Sequence, residues 1–164
     1  MPEIIITGWP AILLAFASSL LVTWYYIPKV IHIVRHRHLE DNPGKHKIHK
    51  NNIPTLGGIG IFAGFLVGYL LGIDGYMPGI SYFTAAAVML FFVGIKDDLV
   101  NINYTKKLLG EVASAIVVVL FTDIRFTSFH GFLGMEEISF WVSFPVTVFT
   151  IVLIINAVNL IDGI

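Results

Sequence analysis

Five apolar blocks make up more than half of this chain, and they constrain its fold more than any other feature. They run over residues 9–33, 56–73, 80–95, 108–122 and 141–160. A spanning helix needs about 20 mostly apolar residues, and backbone inside a bilayer must satisfy its own polar groups, which a helix does. The third and fourth blocks are short, so their ends are expected to extend into flanking polar residues. Only 13% of the residues are charged, where a soluble domain carries about a quarter. The reading is an all-α integral membrane protein of about five transmembrane helices, forming one domain over 1–164. The chain has no cysteine, which excludes disulfides and thiolate metal sites. A net charge of -1 argues against a nucleic-acid partner.

Charge placement sets an orientation. Lys29, Arg35, Arg37, Lys45, Lys47 and Lys50 follow the first block, and Lys96, Lys106 and Lys107 lie between the third and fourth. The remaining side holds only Arg125. The positive-inside rule then places the N-terminus outside and both basic stretches in the cytoplasm. Residues 1–8 carry no Lys or Arg, so the first block reads as an uncleaved anchor and not as a signal peptide. On the outer side, Ile124 and Phe126, then Ile138 and Phe140, alternate around Gly131 and Gly134. That pattern predicts a short β-hairpin near the outer interface.

Three polar patches interrupt the apolar blocks near the inner face. Asp97 and Asp98 close the third block, in Gly94-Ile95-Lys96-Asp97-Asp98. Hard divalent cations such as Mg²⁺ prefer oxygen ligands. Helical neighbours point about 100° apart, so the pair is expected to split its work between cation and substrate. The plainer alternative is two solvated charges ending a helix. Asn156, Asn159 and Asp162 recur every third residue at the end of the fifth block. Their shared face would be costly in lipid, so it faces a cleft or other helices; hydrogen bonding as packing glue is the alternative. The third patch is the basic stretch Lys45–Lys50, followed by Pro54-Thr55-Leu56-Gly57-Gly58-Ile59. Cations there suit a diphosphate, and a glycine-opened helix start suits an anion; topology and lipid headgroups explain the same cations. His32 and His36 stand four apart but lack a carboxylate at zinc-protease spacing. Glu111 and Lys107, also four apart, are expected to pair along one helix.

Taken together and in order, these motifs resemble the bacterial polyprenyl-phosphate N-acetylhexosamine-1-phosphate transferases. The resemblance rests on Lys47-Ile48-His49 through Ile59, Gly94–Asp98, Lys106-Lys107-Leu108-Leu109-Gly110, and Asn156–Gly163. Glu111 stands where many relatives are expected to carry Gln. The family resemblance implies transfer of a sugar 1-phosphate, GlcNAc-1-phosphate in the first instance, from a UDP-N-acetylhexosamine to undecaprenyl phosphate. It implies Mg²⁺, with Mn²⁺ as an alternative, and a possible homodimer. It assigns Asp97 and Asp98 to catalysis and, with Asp162, to the metal. It assigns Lys47, His49, Gly57, Gly58, Asn156, Asn159 and Asp162 to substrate binding. The expected setting is the bacterial inner membrane with the active face cytoplasmic, at the first membrane step of cell-envelope polysaccharide synthesis. On the same resemblance the chain is expected to be the N-terminal half of a longer enzyme and inactive alone. A non-catalytic scaffold or transporter piece is the competing class, in which the polar stripe is glue and the cations are topology signals.

Overall fold

The computed structural model describes residues 8–37, 39–41, 53–54, 56–72, 78–100, 102–131 and 136–162. Five helices account for nearly all of them: α1 (Trp9–His36), α2 (Gly57–Gly72), α3 (Ile80–Val100), α4 (Tyr104–Phe121) and α5 (Phe140–Asp162). Two-residue strands, β1 (Glu40–Asp41) and β2 (Ile53–Pro54), pair antiparallel between α1 and α2. The chain divides into two compact units, Met1–Tyr76 and Met77–Ile164, and each is taken by itself below.

In the first unit α1 runs unbroken through Pro28. It packs against α2 through small side chains. Gly60, Gly64 and Gly68 are the buried residues of α2, spaced four apart on one face. A Cβ on Gly60 would press on Ile27, on Gly64 on Thr23 and Ser19, on Gly68 on Ser19 and Ala15, and on Gly72 on Ala15. The order reverses between the helices, so they run antiparallel with backbones in close approach. Lipid tails are as apolar as leucine, so tight packing of small residues replaces the hydrophobic drive.

The second unit is built from α3, α4 and α5. Gly79 caps α3 at φ +81°, and its carbonyl accepts from the Tyr82 and Phe83 amides at 3.1 and 3.0 Å. The position suits glycine twice over, because a Cβ would also meet Phe121 O and Thr122 at 3.1 Å. α3 and α4 run antiparallel: Tyr82 stacks on Phe121 with ring centroids 4.8 Å apart at one end, and Gly110 seats against Val93 farther along. α3 continues past the apolar block through Lys96, Asp97 and Asp98 to Val100. α4 begins at Tyr104, four residues before its apolar block. Both helices gain their charged turns this way.

Between α4 and α5 the chain makes one isolated antiparallel bridge, Ser128 with Glu137, flanked by Phe129 N to Glu136 O at 3.2 Å and Ile138 N to Thr127 O at 3.0 Å. No ladder forms at Ile124–Phe126 or Ile138–Phe140 among the described residues. There the backbone is bound by α5 side chains. Ser143 Oγ donates to Phe126 O, and Phe126 N donates to Thr147 Oγ1 at 3.1 Å.

Burial is inverted relative to a water-soluble protein. Among the described residues the buried apolar ones are Ala11, Val34, Ala86, Ala115 and Val119, while Glu111, Ser114, Ser143 and Thr147 are buried polar ones. Large apolar side chains such as Trp9, Phe16, Trp24, Trp141, Phe149 and Leu160 lie exposed. Exposure on this scale marks a surface made for something other than water. Trp9–His36 and Phe140–Ile161 are long and apolar enough to cross a membrane.

Candidate active site

The charged ends of α3 and α4 and the polar stripe of α5 meet in the second unit. Asn103 sets where α4 starts: its side chain accepts from Thr105 N at 3.0 Å, satisfying one of the helix's orphan amides. Lys107 therefore stands one turn in. Its Nζ lies 2.6 Å from Asp97 Oδ2 on α3 and 2.7 Å from Asn159 Oδ1 on α5. One ammonium thus ties three helices together, using two of its three donors. The lysine and aspartate side chains are 14% and 23% exposed, so water weakens this pair less than it would a surface pair.

One turn deeper the same two helices join again. Glu111 is 1% exposed, and its carboxylate accepts from Asn156 Nδ2. The pairing of Glu111 with Lys107 expected from their spacing is replaced by these interhelical bonds. Asp97 and Asn159 both take the ammonium, and Asn156 supplies the carboxylate with a donor away from water.

A cavity of about 140 Å³ opens beside these groups, lined by Gly94, Asp97, Asp98, Lys107, Glu111 and Asn159 with Leu90, Val93 and Ile155. Nothing stands within 4 Å of a Cβ built on Gly94. On another side, an apolar groove of about 540 Å³ runs along α4 and α5 from Tyr104 to Phe144 and reaches Asn156. Asn156 thus lines the groove while its partner Glu111 lines the cavity.

The residues singled out in the sequence fall into three groups. Asp97, Asp98 and Asn159 share the cavity, with Asn156 one turn deeper. Asp162 is the last residue of α5, one turn beyond Asn159. Gly57 and Gly58 begin α2 in the first unit, and Lys47 and His49 lie outside the described residues. His32 and His36 stack with centroids 6.3 Å apart on α1. Among the described residues no three His, Asp or Glu side chains gather into a metal-binding group. Sequence reasoning noticed Lys107 and Glu111 but missed what they bind. The available signal was the cost of a charge on an otherwise apolar helix.

Carboxylate and amide oxygens around an ammonium, open on one side, form a charged cluster that suits an anionic phosphate. The profile of glycosyl transferase family 4 matches residues 80–164, over half of the chain and nearly all of the second unit. The chain belongs to glycosyl transferase family 4. Family 4 relatives extend the likeness into the first unit. The probable undecaprenyl-phosphate N-acetylglucosaminyl 1-phosphate transferase of Bacillus subtilis is 32% identical over 93% of this chain and 42% of its own length. The undecaprenyl-phosphate alpha-N-acetylglucosaminyl 1-phosphate transferases of Escherichia coli K12 and Yersinia pestis are 32% and 31% identical, each over 77% of this chain and 34% of its own length. The chain thus spans between a third and a half of these family 4 relatives. No solved structure matches it.

Proposed function

We propose that the protein containing this chain transfers a sugar 1-phosphate from a UDP-N-acetylhexosamine to undecaprenyl phosphate at the cytoplasmic face of the bacterial inner membrane. The observation that carries this reading is the meeting of Asp97, Lys107 and Asn159, from three helices, at one cavity. The relatives' names supply the substrate class and make GlcNAc the first sugar to try. In the reaction an oxygen of the lipid phosphate attacks the β-phosphorus of the UDP-sugar. The bond from that phosphorus to the bridging oxygen breaks, UMP departs, and a lipid diphosphosugar remains.

The chain's residues suit the difficulty of this step, which is to hold two anions against each other. Lys107 offers positive charge at the cavity wall. Asn159 supplies an amide at the same wall, and Asp97 and Asp98 would flank the lipid phosphate. Oxygen donors Asp97, Asp98 and Asp162 are the residues that would hold Mg²⁺ or Mn²⁺. When bound, the ion would neutralise and polarise the diphosphate. A cavity of about 140 Å³ suits the reacting phosphates, and a ligand of nucleotide-sugar size needs several hundred cubic ångströms. Uridine and sugar therefore extend beyond it. The apolar groove that reaches Asn156 would let an amphiphile keep its chain beside α4 and α5 with its phosphate toward the cavity.

The test is direct. Full-length protein in detergent is given undecaprenyl phosphate, Mg²⁺ and labelled UDP-GlcNAc, and UMP release and lipid-borne label are followed. Turnover abolished by Asp98→Asn supports the reading. Absence of turnover with any UDP-N-acetylhexosamine, or full turnover by Asp98→Asn, sinks it.

A further inference from the structure

Among the described residues Glu111 heads the fully buried side chains by size, and the reaction just described gives it no task. A carboxyl group so placed has given up its water and needs a donor. Asn156 Nδ2 is that donor, across the α4–α5 seam. The same Nδ2 donates to Val152 O, one turn back on α5, at 2.9 Å. An amide nitrogen carries two N–H groups, so both are committed and the Asn156 side chain is held from two directions.

Lys107 lies one turn before Glu111 on α4, and Asn159 lies one turn after Asn156 on α5. The Lys107–Asn159 bond is therefore a second rung on the same antiparallel seam. Two rungs constrain what one cannot. A slide or rotation of α5 that preserved the outer rung would break the inner one. The rungs also differ in setting. Asn159 is exposed while Glu111 is buried, so water competes for the outer bond and not for the inner one. The inner rung holds the geometry that the outer rung presents to the cavity.

We propose that Glu111, at the cavity wall, is a positioning residue: through Asn156 it sets the rotation of α5 and so keeps Asn159 at Lys107. Its kinetic consequence rests on the transferase reading; its structural consequence does not. Two variants of the full-length protein separate the possibilities. Glu111→Gln keeps an oxygen that accepts from Asn156. The pair Glu111→Leu with Asn156→Leu removes the rung without leaving an orphaned polar group, an exchange that buried polar pairs generally tolerate.

Glu111→Gln is expected to retain kcat within about threefold, because the rung survives. The leucine pair is expected to lose roughly tenfold to a hundredfold in kcat with KM for both substrates within about twofold, since misplacement costs rate more than binding. A second readout needs no substrate. These 164 residues hold no cysteine, any cysteine elsewhere in the full-length protein is replaced by serine, and Leu120 on α4 and Val158 on α5 are exposed. Spin labels on Leu120→Cys and Val158→Cys report the distance between the helices by electron–electron resonance. A narrow distribution is expected in the parent and in Glu111→Gln, and a broad one in the leucine pair. A leucine pair with parental kcat or a parental distribution overturns the proposal. So does a Glu111→Gln variant that loses as much kcat as the leucine pair while its distribution stays narrow, because the charge itself would then be required. A leucine pair that fails to fold assigns the rung to packing and overturns it too. Broadening without turnover in the parent leaves the positioning role standing and removes the transferase reading.

Discussion

At Lys107 a single ammonium reaches oxygens from two other helices, Asp97 Oδ2 and Asn159 Oδ1. Lys107→Met keeps the apolar stem and deletes the charge. Asp97 is then left without that partner in a part-buried place, which is expected to cost about 1–3 kcal/mol. Turnover is expected to fall on the order of a hundredfold or more, as when a preorganised charge is removed from a site of developing charge. Thermal unfolding in detergent reads the first effect and UMP release at saturating substrate the second; full turnover by this variant would remove Lys107 from the site. The residue also shows where sequence reading stopped. Asp97, Asn156 and Asn159 were legible because polar side chains on apolar helices need a reason to be there. The partner of Lys107 was not. Spacing of four points to Glu111 on the same helix, but that rule describes an isolated helix. Here oxygens on α3 and α5 sit closer, and their approach depends on helix registers that local spacing does not encode.

Element by element, the five helices follow the apolar blocks, and the differences fall at charged ends. Hydropathy drops at Lys96 and recovers only at Leu108, whereas backbone hydrogen bonding carries α3 to Val100 and restarts α4 at Tyr104. The glycines illustrate a subtler limit. Gly57 and Gly58 drew attention as an adjacent pair, yet among the described residues a Cβ on either meets nothing within 4 Å. Contact with α1 is made by Gly60, Gly64 and Gly68, whose spacing of four was visible but whose partner was not. Gly64→Leu is expected to destabilise the α1–α2 pair by about 3 kcal/mol or more, because the added atoms meet Thr23 and the Ser19 carbonyl. Gly58→Ala is expected to stay within about 0.5 kcal/mol. Thermal midpoints of the two variants, measured side by side, check the contrast; equal losses would show that the seam is not formed by this stripe.

At the scale of the molecule, a few polar side chains are buried among the described residues while many large apolar ones are exposed, an arrangement that suits a chain solvated by lipid. The orientation proposed from its charges can be read with single cysteines, since these 164 residues hold none and any beyond them can be replaced. Lys47→Cys is expected to react with an impermeant maleimide only after the inner face is opened, and His130→Cys in intact cells; the reverse pattern would invert the topology. The paired rungs of α4 and α5 have a consequence for how such a chain is made. Lys107 and Glu111 make α4 costlier to place in lipid alone, and Asn159 and Asn156, which engage them, are synthesised 52 and 45 residues later. α4 is therefore expected to enter the bilayer together with α5. In a chain cut after Ser139, the label at position 130 should therefore stay beyond reach from outside. A translocated label in that shortened chain would mean that α4 crosses alone.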